Sequence, residues 1–598
     1  VGYGMSEGGM NWAPAHIPER ELREVYLAPF EAAVRACGVE SIMNSYGELD
    51  GLACGASSYL LRDILRDEWG FKGTVVSDYF AINMLKEYHH IAESKEEAAL
   101  LALKAGIDVE LPSRDVYAQP VIDAVQDGYL DESLVDEACR RLLESKFRLG
   151  LFERPYVEDT TPIVLDTDAD RTLARELAAK SLVLLKNGDP EGPDLQRPLP
   201  LNAAGLNRVA VVGPNAESWR NMIGDYAYPC HIETLGNLGE VTDDDMNTAQ
   251  PEEEVKLSSD FASIVTVLDG IKEQLGDRTE VTYAAGCDIL EEDESGHAEA
   301  VRAAETSDVV IAVMGDRSGL VNGCTSGESR DRVDITLPGT QRLLLKRLVA
   351  TGKPVVLVMM NARPVDLSWE ADNVDAILAA WLPGEEGGNA VAQALFGERT
   401  PGGKLPMSFP RHVGQIPVFH GHKPSGGRSH WAGRYVETGT DPLYPFGYGL
   451  SYTSFGLDDI TVDRATLREG ETVAVRCEVT NRGDRHGDEV VQLYSRGPRN
   501  FVTRPVRELR GFKRVSLAPG ESAKVTFEVA WDQFRFYDKD MRCAVHPGNV
   551  ELMLGTSSRD IHSRQHIVLA AAEEGTIVPP EKRTYFSTVQ AESDAFVG

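Results

Sequence analysis

The run Thr74-Val75-Val76-Ser77-Asp78 constrains this chain more than any other stretch. It follows a helix-like segment over residues 58–69 and a Gly70-Phe71-Lys72-Gly73 turn, it is rich in β-branched residues, and it ends on a carboxylate. Strands buried on both faces read as continuous apolar runs rather than as alternation. In a (β/α)8 barrel such strands deliver reactive side chains at their C-terminal ends. Asp78 is therefore predicted to stand at the mouth of a pocket, and it is the first catalytic candidate.

The rest of the chain sorts into segments by pattern. Residues 1–155 read as repeated β/α units, with strands expected at 39–46, 74–78 and 106–110 and helices at 19–37 and 95–104. Three or four strands cannot close a barrel that needs eight and takes about 250 residues. This segment is read as the C-terminal half of a (β/α)8 TIM-type barrel in an N-terminally truncated chain. A polar Asp/Thr-rich stretch at 156–170 reads as a linker. Residues 171–411 alternate again, with apolar strands at 209–213, 309–313, 354–358 and 376–380 and helices at 339–351 and 389–396. They imply an open α/β sandwich domain, interrupted by an acidic insertion at 240–260. Residues 412–452, rich in His, Pro, Gly and Ser, form a connecting loop. Period-two strands at 472–479, 489–494 and 550–554, punctuated by turn residues, predict a fibronectin type III-like β-sandwich over 453–570. The remainder, 571–598, is expected to be a tail. The fold class is multidomain α/β plus β.

Composition excludes some functions. A length of 598 residues implies several domains. A net charge of -34 repels phosphate backbones and argues against nucleic acid as a partner. No apolar run approaches the ~18 residues of a membrane span, so no membrane partner is expected. Eight cysteines without zinc-type spacing indicate no structural metal. One bridge, Cys477 with Cys543 or Cys287 with Cys324, stays open, with reduced thiols the expected state. The chain enters at Val1 with no leader pattern, which leaves the compartment undecided. A homo-oligomer is left open.

With its flanks, Leu60-Leu61-Arg62-Asp63 before and Tyr79 after, the Asp78 segment resembles the nucleophile segment of glycoside hydrolase family 3. Elsewhere Gly2-Tyr3-Gly4 looks like the segment after the family's substrate-binding Lys-His pair, Met43-Asn44-Ser45-Tyr46 resembles its next strand, Trp381-Leu382-Pro383-Gly384-Glu385-Glu386-Gly387-Gly388 resembles part of its second domain, and Pro442-Leu443-Tyr444-Pro445-Phe446-Gly447-Tyr448-Gly449-Leu450-Ser451-Tyr452 resembles the run leading into its β-sandwich. The resemblance covers nearly the whole chain.

It implies a retaining exo-β-glycosidase that removes terminal β-D-glucosyl residues from small oligosaccharides or glycosides, with no cofactor and no metal. Retention needs two carboxyl groups ~5–5.5 Å apart, one ionised and one protonated. The resemblance makes Asp78 the nucleophile and Glu328, in Cys324-Thr325-Ser326-Gly327-Glu328-Ser329-Arg330-Asp331-Arg332, the acid/base. It assigns Met43, Tyr46 and Tyr79 to the sugar pocket. Two features depart from the family pattern: its Lys-His pair and earlier strands have no counterpart here, and Tyr79 stands where many members carry Trp. His422, Lys423 and Arg428 are read as a solvated loop face at least as readily as substrate contacts. A β-xylosidase, or an enzyme bifunctional with arabinosidase, is the second reading. A non-catalytic carbohydrate-binding or assembly protein is the third.

Overall fold

Three short parallel strands organise the first part of the chain: β1 (Ser41–Met43), β2 (Thr74–Tyr79) and β3 (Val109–Leu111), in the order β1-β2-β3. They belong to a computed structural model that describes residues 6–157, 166–188, 197–237, 263–427, 431 and 433–593. Gly2-Tyr3-Gly4, the acidic insertion at 240–260 and Arg428 lie outside the described residues. The chain divides into two compact units: Val1–Ile163 with Asp532–Val545 and Gly575–Tyr585, and the remainder.

In the first unit the central strand is β2. Val75 is fully buried and packs with Ile64, Leu65, Ala98, Ala102 and Ile107. The turn before it needs glycine at position 73, because a Cβ there would collide with the Glu40 carbonyl and the Phe71 ring. Helix Lys95–Ala105 starts where the Ser94 side chain accepts the Glu97 N–H and stops at Gly106, whose φ of 108° only glycine adopts without strain. That cap explains why β3 begins at Val109 rather than at 106. The expected helix at 19–37 is broken at Leu27, and Pro29 sits in the first turn of its second part, Ala28–Arg35.

Asp108 ties this unit together. Its buried carboxylate accepts from Arg66 (2.8 Å), Arg141 (2.8 Å) and the Val75 N–H (2.8 Å). Breaking a buried pair leaves a charge without a partner and costs about 3–5 kcal/mol. Asp108→Ala, which leaves Arg66 without a carboxylate and Arg141 with Glu137 alone, is expected to destabilise the unit by that amount. Urea denaturation followed by tryptophan fluorescence measures it, and a change below about 1 kcal/mol would mean that solvent reaches the pair.

The stretch beyond 571, expected as a tail, is structured. Gly575–Tyr585 belongs to the first unit, where Arg583 pairs with Glu31 at 2.5 Å and Tyr585 donates to the same carboxylate. Asp532–Val545 joins it there: Arg20 donates to the Tyr537 carbonyl (2.9 Å), and the Tyr537 N–H donates to Glu24 (2.7 Å). Polar side chains and main chain make these contacts, so no apolar periodicity announced them.

The second unit contains a six-stranded sheet of β4 (Val183–Asn187), β5 (Arg208–Val212), β6 (Glu280–Ala284), β7 (Val309–Gly315), β8 (Val355–Met360) and β9 (Ala376–Ala379), in the order β4-β9-β8-β7-β5-β6. All pairings are parallel except β4 with β9. Strands β7 and β8 are buried at every position, as strands covered by helices on both faces must be. Its first helix, Asp168–Ser181, starts inside the expected linker, because Thr167 and Asp170 form a reciprocal capping box. What reads as polar linker is the start signal of a helix.

A two-sheet sandwich follows, built on β10 (Thr472–Asn481), β11 (Gly487–Arg496), β12 (Glu508–Leu517), β13 (Ser522–Ala530), β14 (Gly548–Gly555), β15 (Ile561–Leu569) and β16 (Thr588–Ser593). One sheet pairs β10, β13 and β16, the other β15, β14, β11 and β12. The alternating burial of β13 turns Val525, Phe527 and Val529 into the core. Strand β16 comes from the expected tail. All eight cysteines are free, with Cys37 and Cys139 exposed. Among the described residues no helix is long and apolar enough to cross a membrane.

Candidate active site

At the C-terminal end of β2 the backbone is held from both sides. The Asp78 N–H donates to Asn44 Oδ1 (3.0 Å), which follows β1. Ser77, fully buried, accepts the Leu111 N–H of β3 (2.8 Å), and the Phe80 N–H donates to the Leu111 carbonyl (2.9 Å). Phe80 takes a left-handed φ of 61°, which turns the chain out of the sheet immediately after the carboxylate.

The half-buried Asp78 carboxylate receives two donors on one oxygen. Tyr46 OH (2.9 Å) and the Tyr79 N–H (2.8 Å) both donate to Oδ1. Among the described residues no donor reaches Oδ2. Tyr46 is itself fixed: its ring packs on Trp12 at a centroid distance of 4.5 Å, and His89 Nε2 donates to its carbonyl (2.9 Å). His89 in turn faces Glu48 at 3.4 Å.

Of the residues predicted to line a sugar pocket, the structure brings Tyr46 to Asp78 by its hydroxyl and Tyr79 by its main chain. The Tyr79 ring is 53% exposed and meets Phe80 edge-on. Met43, 47% exposed, lines an apolar cleft with Leu27, Phe30, Leu60 and Trp69, and nothing in the structure ties it to Asp78. Asn44, Trp12 and His89 were missed as site residues. Asn44 stood within the Met43-to-Tyr46 run, whereas Trp12 and His89 carry no local signal.

In the second unit, Glu328 lies on a loop that leaves the end of β7. The sheet order places this end at a topological switch point, since β5 leads outward to β6 on one side and β7 to β8 and β9 on the other. Open α/β sheets bind ligands in the crevice at such points. The loop folds back on itself: the Thr325 N–H donates to the Arg317 carbonyl (2.8 Å) and the Gly319 N–H to the Ser326 carbonyl (3.0 Å). Gly327, at φ 126°, admits no Cβ because the Gly319 carbonyl occupies that space. Arg330 closes the loop from below by donating to the Leu320 carbonyl (2.5 Å).

Two residues from a distant segment aim the Glu328 side chain. Its N–H donates to Asp225 Oδ2 (3.1 Å), and the exposed Tyr226 hydroxyl donates to its carboxylate. Burial pushes the Cys324 thiol up. Among the described residues no group of three or more His, Cys, Asp or Glu is placed to hold a metal ion.

Comparison with known proteins agrees with this architecture. The glycosyl hydrolase family 3 N-terminal domain matches residues 1–145, its C-terminal domain residues 182–452, and a fibronectin type III-like domain residues 489–558. The chain belongs to glycoside hydrolase family 3, and it is a glycoside hydrolase. It is 38% identical over 570 residues to a β-xylosidase of Formosa agariphila, covering 94% of this chain and 73% of that protein. It is 36% identical to a periplasmic β-glucosidase of Salmonella typhimurium, covering 93% and 71%. Among solved structures, the Listeria innocua β-glucosidase in complex with glucose superposes with a TM-score of 0.81 at 31% identity, over 95% of this chain and 72% of that one. A β-glucosidase from Erythrobacter marinus gives a TM-score of 0.79 at 35% identity, over 95% and 73%.

Proposed function

We propose that this chain hydrolyses terminal non-reducing β-D-glucosyl residues of oligosaccharides or glycosides with retention, by double displacement, with Asp78 as nucleophile and Glu328 as acid/base. The observation that carries the reading is the Asp78 carboxylate, held at a strand end by two donors to Oδ1 while Oδ2 stays free. In the first step Oδ2 attacks the anomeric carbon, the glycosidic bond breaks, and Glu328 passes its proton to the departing oxygen. In the second, Glu328 takes a proton from water, the water oxygen attacks the glycosyl ester, and Asp78 leaves as a carboxylate. Tyr46 keeps the nucleophile oriented. The exposed Tyr79 ring offers a face for the sugar.

The second reading is a β-xylosidase, or an enzyme bifunctional with arabinosidase; its xylosidase part is supported by the similarity to the Formosa agariphila β-xylosidase. Glucose and xylose differ by one hydroxymethyl group, whose packing in a pocket is worth about 10–200-fold on the scale of a methylene. Nitrophenyl β-glucoside, β-xyloside and α-arabinoside separate the readings. The glucoside is expected to lead in kcat/KM by a factor in that range. The reverse order establishes the xylosidase, and glucose binding without turnover of any substrate makes the chain a carbohydrate-binding protein.

A further inference from the structure

We infer that a pocket between the 408–445 segment and the sandwich binds a small oxyanion, a phosphate, sulfate or carboxylate group, with Arg507 as its principal ligand. The Val506 N–H donates to the His422 carbonyl (3.0 Å), which sets His420 and His422 beside Arg507. His420 stacks on Phe446 at 4.1 Å, and the Ser558 N–H donates to the Phe446 carbonyl (2.9 Å), which brings in Arg559. The pocket holds about 60 Å³ of water-accessible space, room for about four waters at ~15 Å³ each.

The charges around Arg507 are accounted for one by one. Glu508 pairs with Arg504 (3.1 Å) and Arg510 (3.1 Å), Glu551 with Arg496 (3.1 Å) and Arg564 (3.5 Å), and Asp441 with Arg559. Arg507 has no ion pair among the described residues, and its buried Nε has no hydrogen-bond partner. Burial, then the Arg559, Arg564 and Arg496 charges, hold it below the ordinary guanidinium range. Burial and the Arg507 charge push His420 down to about 4, so at neutral pH it is an uncharged ring that can donate one N–H. A half-buried guanidinium surrounded by cations lacks a counter-charge, and a planar fork of donors fits an oxyanion best. In a chain with a net charge of -34 such a site runs against the overall field. Arg504 and Val506 line a neighbouring open cleft of about 820 Å³, which gives space for a larger molecule carrying the anionic group.

The test titrates the whole chain with sodium phosphate, sodium sulfate, glucose 6-sulfate and glucuronic acid at constant ionic strength, with glucose as the neutral control. Isothermal titration calorimetry and thermal unfolding are the readouts. At least one anion is expected to bind and to raise the unfolding midpoint with the logarithm of its concentration. Arg507→Met is expected to weaken that binding at least tenfold and flatten the thermal response, while its midpoint without anion does not fall. Arg507→Lys, which keeps the charge and loses the fork, should bind with intermediate strength and covers the case of a misfolded methionine variant. Tenfold tighter binding of a sugar-borne anion identifies a glycan substituent as the ligand, and equal binding identifies the free ion. Absence of any response beyond the salt control, or an unchanged response in both variants, overturns the site.

Discussion

Asp78→Gly is expected to lower kcat on aryl β-glucosides by at least about 10⁴-fold, the scale of removing a nucleophile that acts within a concerted set. Three contacts that shape the strand end do not use this side chain: the Asp78 N–H to Asn44, Ser77 to Leu111, and Phe80 to Leu111 all survive the substitution, and only the Tyr79 N–H and the Tyr46 hydroxyl lose their acceptor. The loss should therefore be chemical, with an unchanged fold by circular dichroism. Azide fills the space left by the carboxylate and attacks the anomeric carbon directly. The expected product is a glycosyl azide of α configuration, inverted from the substrate, because only one displacement then takes place. Full activity in the variant, or rescue with retained configuration, removes Asp78 from the nucleophile role.

Glu328→Ala is the second large effect, and it should depend on the leaving group. A general acid contributes about 10²–10⁴-fold where the leaving oxygen needs a proton and little where it does not. Cellobiose and alkyl glucosides are expected to lose activity in that range, while 2,4-dinitrophenyl glucoside retains its first step. Azide here should yield the β product, because Asp78 still forms the ester. The loop is held by Arg330, Gly327 and the Arg317 backbone, none of which needs the Glu328 carboxylate, so a uniform loss across leaving groups would assign this residue a structural role instead.

What the sequence made legible follows from where burial leaves a pattern. Strands β2, β7 and β8 are covered on both faces and print as unbroken apolar runs, and they were placed nearly to the residue. Strand β4 was not placed, because Leu182 to Lys186 continues from a helix without a turn residue, and only the pairing with β9 makes it a strand. Asp78 was legible as a carboxylate closing such a run. Its supports were only partly so: Asn44 lay in a recognisable run, but the Trp12 ring and the His89 imidazole reach Tyr46 from opposite sides in sequence. Asp225 and Tyr226 lie 103 and 102 residues before Glu328, and no local periodicity encodes that meeting. The same holds for Arg583 on Glu31, a pairing across 552 residues.

Covalent trapping tests the central claim most directly. Incubation with 2-deoxy-2-fluoro-β-glucosyl fluoride slows both displacements through the electron-poor transition state, and its good leaving group lets the first outrun the second, so the glycosyl ester accumulates. Proteolysis and tandem mass spectrometry then locate the added mass. The account predicts one fluoroglucosyl group on the peptide that contains Thr74–Tyr79, borne by Asp78. Label on any other carboxylate, or full hydrolytic turnover of aryl glucosides by protein that never acquires the label, would contradict it.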